Sequence, residues 1–152
     1  IKTQFAFALS TDPKYLILDE PTANFDPDFK QDFLNVIMQF MESGKKSVII
    51  ASHILDELDR IADYLIYLDK GELVYSGDIE SFRDKYRIIS GESYKVKFLK
   101  QEDIIHAEDR KYGTKALVVN HGYSKYDGAL TVTVPTLEEF MYHYSKRGES
   151  VI

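Results

Sequence analysis

Asp19 and Glu20 stand side by side at the end of a short apolar run, Tyr15-Leu16-Ile17-Leu18. Burying an unpaired carboxylate is costly, so acids at the tip of a buried strand usually sit where a cation meets them. Phosphoryl transfer uses such a pair, the cation being Mg²⁺ on the phosphates. In that chemistry Asp19 would hold the metal or its waters, and Glu20 would polarise the attacking water as general base. Alternation along a strand sends the two side chains to different places, so two roles are reasonable. Taken alone, an Asp-Glu pair is more often a solvated strand end or a cap for the next turn. His53 is the second candidate, closing the run Ser47-Val48-Ile49-Ile50-Ala51-Ser52. A lone histidine is more often structural than catalytic. At the carboxyl end of a parallel strand, where ligands bind, an imidazole can reach a phosphate oxygen and the attacking water.

These residues need elements to position them. Lys2 to Leu9 reads as the end of a helix, and Ser10-Thr11-Asp12-Pro13 breaks it. Tyr15 to Leu18 is apolar on both faces, the pattern of a buried parallel strand. Asp26-Pro27 is a helix start, an N-cap acid followed by proline at the first helical position. Behind it Phe29, Phe33, Val36, Ile37, Phe40 and Met41 form a helical stripe that Gly44 ends. Ser47 to Ala51 is a second buried strand. A helix is predicted next, with Leu55, Leu58, Ile61 and Ala62 inward and Asp56, Glu57 and Asp59 outward. Tyr64 to Leu68 is a third strand, Asp69-Lys70-Gly71 a turn, and Glu72 to Tyr75 the returning hairpin strand. A short helix covers Ile79 to Tyr86. This alternation implies an α/β sheet. Past Ser90-Gly91 the character changes. Tyr94 to Leu99 and Leu130 to Val134 alternate like half-exposed strands, Ala116 to Val119 is another, and Thr136 to Ser145 is a terminal helix with Leu137, Phe140, Met141 and Tyr144 on one face.

Composition sets the outer limits. With 152 residues, 44% hydrophobic and 29% charged, the chain suits a globular protein and argues against disorder. A net charge of −6 without a long basic run makes nucleic acid a poor first choice of partner. There are no cysteines, hence no disulfide framework or thiolate chemistry. The apolar runs are far short of the roughly 20 residues that span a bilayer. Ile1-Lys2-Thr3-Gln4-Phe5 does not read as a signal peptide. His106, His121 and His143 lack metal-ligand spacing and read as surface residues, and Tyr123-Ser124-Lys125-Tyr126 reads as a turn.

The segment Tyr15 to Asp26 resembles the Walker B and D-loop region of ABC-type ATPases: four apolar residues, then Asp19-Glu20-Pro21-Thr22, two variable residues, a leucine position and an aspartate. Phe25 stands where leucine is usual. Ser47 to His53 resembles the strand and switch histidine of the same family, and Leu55 through Gly77 looks like the helix, strand and hairpin that follow it. The resemblance covers residues 1–88, with 89–152 as a small C-terminal α+β extension. It implies an α/β fold, the C-terminal part of a P-loop NTPase core. It also implies ATP and Mg²⁺ as cofactors, with Glu20 and His53 catalytic, Asp19 on the metal, and Asp26 reaching across an ATP-sandwiched dimer.

A Gly-x-x-x-x-Gly-Lys-Ser/Thr phosphate loop, which cradles the β- and γ-phosphates, does not occur in the sequence. Nor does the family's Ser-Gly-Gly signature. The expectation is a fragment beginning just past that signature, binding ATP weakly or not at all by itself. Its parallel strand would lack a neighbour and favour self-association. The implied parent is the ATP-hydrolysing subunit of an ABC transporter, peripheral at the cytoplasmic face of the cell membrane. Its implied partners are a second ATPase subunit and transmembrane permease subunits. The extension and the spacing after His53 look most like subunits serving bacterial exporters of peptides or drugs. Two alternatives are a soluble ABC-type ATPase of translation or DNA repair, and a non-catalytic regulatory or dimerisation fragment.

Overall fold

The computed structural model describes residues 2–55, 58–123 and 130–149. Asp56 and Glu57, and Ser124 to Tyr126 of the expected turn, lie outside them. The chain forms two compact units, Ile1–Ile61 and Ala62–Ile152.

The first unit contains α1 (Lys2–Ser10), β1 (Tyr15–Asp19), α2 (Pro27–Met41) and β2 (Ser47–Ala51). Asp26 caps α2 as its sequence position predicts, the Phe29 amide donating to Asp26 Oδ1 at 2.9 Å. Gly44 leaves the helix at φ 65°, a conformation that costs a glycine little. The two strands pair in parallel from Tyr15–Ser47 to Asp19–Ala51, and α2 is the crossover such pairing requires. Phe33, Leu34 and Ile37 of α2 pack with Leu16, Leu18, Val48 and Ile50 of the sheet, joined by Phe5, Ala8 and Leu9 of α1. Phe25, the residue at the leucine position, lies edge-on to Phe29 and Phe33 at 4.5 and 5.7 Å, so the larger side chain extends this core. Replacing Asp26 with alanine removes the cap and is expected to cost about 1 kcal/mol of the first unit's stability in urea denaturation.

One expectation for this unit needs correction. The strands were expected to be buried on both faces. Instead Tyr15, Ile17 and Ile49 on the second face are 61–74% exposed. Alternation places them opposite the helix-covered residues, and among the described residues no element of this unit covers them. The middle of the helix expected after His53 lies outside the described residues; on either side of it the Asp59 amide donates to the Leu55 carbonyl at 2.9 Å and Leu58–Arg60 forms a 3₁₀ turn. The residues expected to face inward, Leu55, Leu58, Ile61 and Ala62, are half-buried.

The second unit opens with the hairpin β3 (Tyr64–Asp69) and β4 (Glu72–Asp78). Lys70 and Gly71 both take positive φ in its two-residue turn, the geometry that matches strand twist. Then follow α3 (Ile79–Lys85), β5 (Tyr86–Gly91), α4 (Ser93–Val96), β6 (Ile104–Arg110), β7 (Gly113–Val119), β8 (Thr131–Thr133) and α5 (Leu137–Ser145). The last four strands form one antiparallel sheet in the order β6-β7-β5-β8. Gly113 takes φ 134°, and a Cβ there would lie 2.2 Å from the Gly91 carbonyl oxygen. Only glycine lets β5 and β7 meet at that point. Thr136 and Glu139 form a reciprocal capping box at the start of α5.

Tyr94 to Leu99, expected as a strand, is instead the short helix α4 and the turn after it. Val96 and Leu99, three apart, enter the core while Tyr94 and Phe98 face solvent. The helical spacing therefore prevails over the period-two alternation.

Candidate active site

The parallel register offsets β2 from β1 by 32 residues, so Glu20, just past β1, comes level with Ser52, just past β2. The Glu20 amide donates to the Ala51 carbonyl at 2.8 Å and extends the ladder by one bond. Glu20 itself takes φ 44°. A non-glycine residue pays for that left-handed conformation, a cost that structures tolerate mostly where a site is being shaped. The chain turns immediately afterwards, the Phe25 amide donating to the Thr22 carbonyl at 3.1 Å, with Pro21 and Thr22 buried beneath the turn.

The Glu20 carboxylate lies across the strand end against three donors. His53 Nδ1 is 2.7 Å from Glu20 Oε1, the His53 amide donates to the same oxygen at 3.1 Å, and Ser52 Oγ donates to Oε2 at 3.3 Å. The Ile54 amide donates to Ser52 Oγ at 3.0 Å and orients that hydroxyl. Glu20 and His53 remain partly open to solvent, with 39% and 70% of their side-chain surfaces exposed. The hydrogen bond from His53 is the main reason the Glu20 carboxyl titrates below its ordinary range, against the opposing effect of burial. Like an ordinary glutamate, Glu20 is ionised at neutral pH, the state a general base requires.

Glu20 and His53, read separately from the sequence, are thus brought into contact. Asp19 occupies the last position of the β1 ladder and is exposed. Asp26 is engaged as the cap of α2. Ser52 was overlooked as a site residue. Its signal was its position, one residue before His53 and 32 residues after Glu20.

Two of the three remaining histidines require correction. His106 and His143 were read as surface residues, yet they are 3% and 1% exposed and face each other, Nδ1 to Nδ1, at 2.8 Å. A neutral imidazole is apolar enough to enter a core once its nitrogens find partners. His121 is exposed, as expected, and its Nδ1 lies 2.7 Å from the buried Asp103.

The donor set bears on the implied metal. Mg²⁺ prefers oxygen ligands and is commonly held by one or two carboxylates together with substrate phosphates. Asp19, an exposed carboxylate beside Glu20, suits such a shared ion. Among the described residues no group of three or more His, Cys, Asp or Glu could hold a metal unaided.

No protein-family profile matches the chain. Its curated relatives are ABC transporter ATP-binding proteins, the class the sequence resemblance names. A protein of Mycoplasma pneumoniae described as an ABC transporter ATP-binding protein is 35% identical over 104 residues, covering 65% of this chain and 32% of the relative. The energy-coupling factor transporter ATP-binding protein EcfA2 of Caldanaerobacter subterraneus subsp. tengcongensis is 39% identical over 88 residues, covering 57% of this chain and 31% of the relative. EcfA2 of Streptococcus pyogenes is 33% identical over 76 residues, covering 50% of this chain and 27% of the relative. The chain thus spans about a third of the length of the curated relatives it matches. Two of these three names specify energy-coupling factor transporters. Among the described residues no helix is long and apolar enough to cross a membrane.

Proposed function

We propose that this chain carries the hydrolytic half-site of the ATP-hydrolysing subunit of an ABC transporter. The observation that supports this most strongly is the 2.7 Å contact between Glu20 and His53 at the carboxyl end of a parallel strand pair, in a chain whose relatives bind ATP by name. Glu20 is the general base. His53 orients it and reaches the γ-phosphate, sensing whether that phosphate is present. Asp19 holds Mg²⁺ or its waters, the ion supplying charge neutralisation for the phosphates. Asp26 serves the interface with a second ATPase subunit in addition to capping α2. Residues 1–88 supply part of a P-loop NTPase core and 89–152 a C-terminal extension. Transmembrane permease subunits are the further partners, which places the assembly at the cytoplasmic face of the membrane.

The half-site reading makes a direct demand of the 152-residue chain. Calorimetric titration with Mg-ATP is expected to show no binding tighter than millimolar, because backbone amides and a lysine from a phosphate loop must come from elsewhere. Tight, Mg²⁺-dependent binding would mean that the chain grips phosphates by itself, and the half-site reading would fall.

A further inference from the structure

The buried histidine pair belongs to a different part of the molecule and is unused by the proposed chemistry. His106 sits on β6 and His143 in the last turn of α5, so their 2.8 Å contact joins the helix to the sheet. Only one of two facing nitrogens can carry the proton of such a bond, the other accepting it. A proton added to the acceptor puts two N–H groups face to face and breaks the bond. A proton added at the far nitrogen of the donor leaves a cation in the core, which burial disfavours.

The helix so held is central to the second unit. Phe140 packs on Tyr67 of β3, Phe82 of α3 and Tyr86 of β5. The Arg147 guanidinium, beyond the end of α5, donates to Asp69 of β3 at 2.6 Å. Polar clasps flank the histidines: Lys115 of β7 with Glu139 of α5 at 2.6 Å, and the Tyr142 hydroxyl donating to Glu108 of β6 at 2.9 Å.

We propose that the His106–His143 contact is an acid-sensitive latch, protonation of which releases α5 from β6 and loosens its hold on the β3–β4 hairpin. The charged and titratable groups facing the pair are Glu108 and Arg110 of β6, Lys115 of β7, Glu139 and Tyr142 of α5, and Lys146 and Glu149 just beyond it. Burial lowers the pKa of both histidines. For His143 burial and the neighbouring His106 bring it to about 4. Burial works to raise the pKa of Glu108 and Glu139, yet both lie below the ordinary carboxylate value because Arg110 and Tyr142 bond to the first and Lys115 and the Thr136 amide to the second. The sign follows from linkage. A histidine with a lowered folded pKa contributes fully above its ordinary value near 6.5, and that contribution is lost as pH falls toward 4. The window between these limits is that of His143.

The test is amide hydrogen exchange of α5 in the whole chain, with protection expressed relative to the unfolded chain at each pH. Between pH 7.5 and pH 5, α5 protection is expected to fall about thirtyfold, the linkage factor for His143 alone, while α2 protection stays level. The double variant His106→Phe/His143→Leu replaces both partners with apolar groups, a change that can be nearly neutral. It is expected to hold α5 equally well at both pH values. A companion NMR titration of the imidazole protons in the unmodified chain stands even if that variant fails to fold. Two histidines still neutral at pH 5.5 support the latch. Flat α5 protection in the unmodified chain, or all histidines titrating near their ordinary value, overturns it.

Discussion

Glu20→Gln, placed in the longer ATPase proposed above, is expected to bind Mg-ATP as the unaltered protein does and to lose nearly all turnover. Glutamine keeps the shape of the side chain. Its one carbonyl oxygen can still accept from the His53 amide, while its NH2 group, in the place of the second oxygen, can donate to the Ser52 hydroxyl that previously donated to it. What it lacks is the negative charge, which makes the carboxylate able to draw a proton from water. Removing a positioned general base typically lowers a rate about 10²–10⁴-fold, and a loss in that range is the expected steady-state result. Binding should be spared because the phosphates are gripped elsewhere. His53→Ala gives a useful comparison. It removes the partner that keeps the Glu20 carboxyl below its ordinary range, so turnover should fall and its acid limb should move to higher pH. A Glu20→Gln protein that turns over within a few-fold of the parent would remove Glu20 from the base role. A protein that fails to bind nucleotide would show that Glu20 serves binding.

The contrast between the two units explains what could be read from the residues alone. In the first, signals agree across levels: an apolar run ending in acids, an Asp-Pro helix start, and a stripe whose Phe33 and Ile37 are 1% and 0% exposed. Glu20 and His53 could be named because each closes a strand, and parallel strands bring their carboxyl ends together. Their direct contact could not be named, since it depends on the 32-residue register and on the left-handed backbone at Glu20. The second unit gave less. β6 runs Ile-Ile-His-Ala-Glu-Asp-Arg, and three charged residues at its outer end conceal a strand in which His106 and Ala107 are buried. β5 was concealed for the opposite reason. It sits between β7 and β8, and its consecutive residues Ile88 and Ile89 are both buried, so the alternation that marks a half-exposed strand is missing. The histidine pair was illegible because its members lie 37 residues apart, joined only by the way α5 crosses β6.

Phe140→Ala should produce a large loss of stability in the second unit. The ring is 1% exposed and touches four others: Tyr86 at 4.7 Å, Phe82 at 4.8 Å, Tyr144 at 5.2 Å and Tyr67 at 5.6 Å between centroids. Those neighbours come from β3, α3, β5 and α5 itself, so a cavity here loosens several elements and cannot be closed by one of them moving. Truncating a buried phenylalanine to alanine costs about 3–5 kcal/mol, the lost transfer energy together with the cavity. A domain of ordinary stability has only about 5–15 kcal/mol in all. The variant should therefore unfold at a much lower urea midpoint, followed by the tyrosine signal, since the chain has 11 tyrosines and no tryptophan. Phe98→Ala is the matched control. Phe98 is 86% exposed, and its truncation should change stability by no more than about 0.5 kcal/mol. If Phe140→Ala cost under about 1 kcal/mol, the aromatic cluster would not be the core of this unit, and the latch on α5 would have nothing to release.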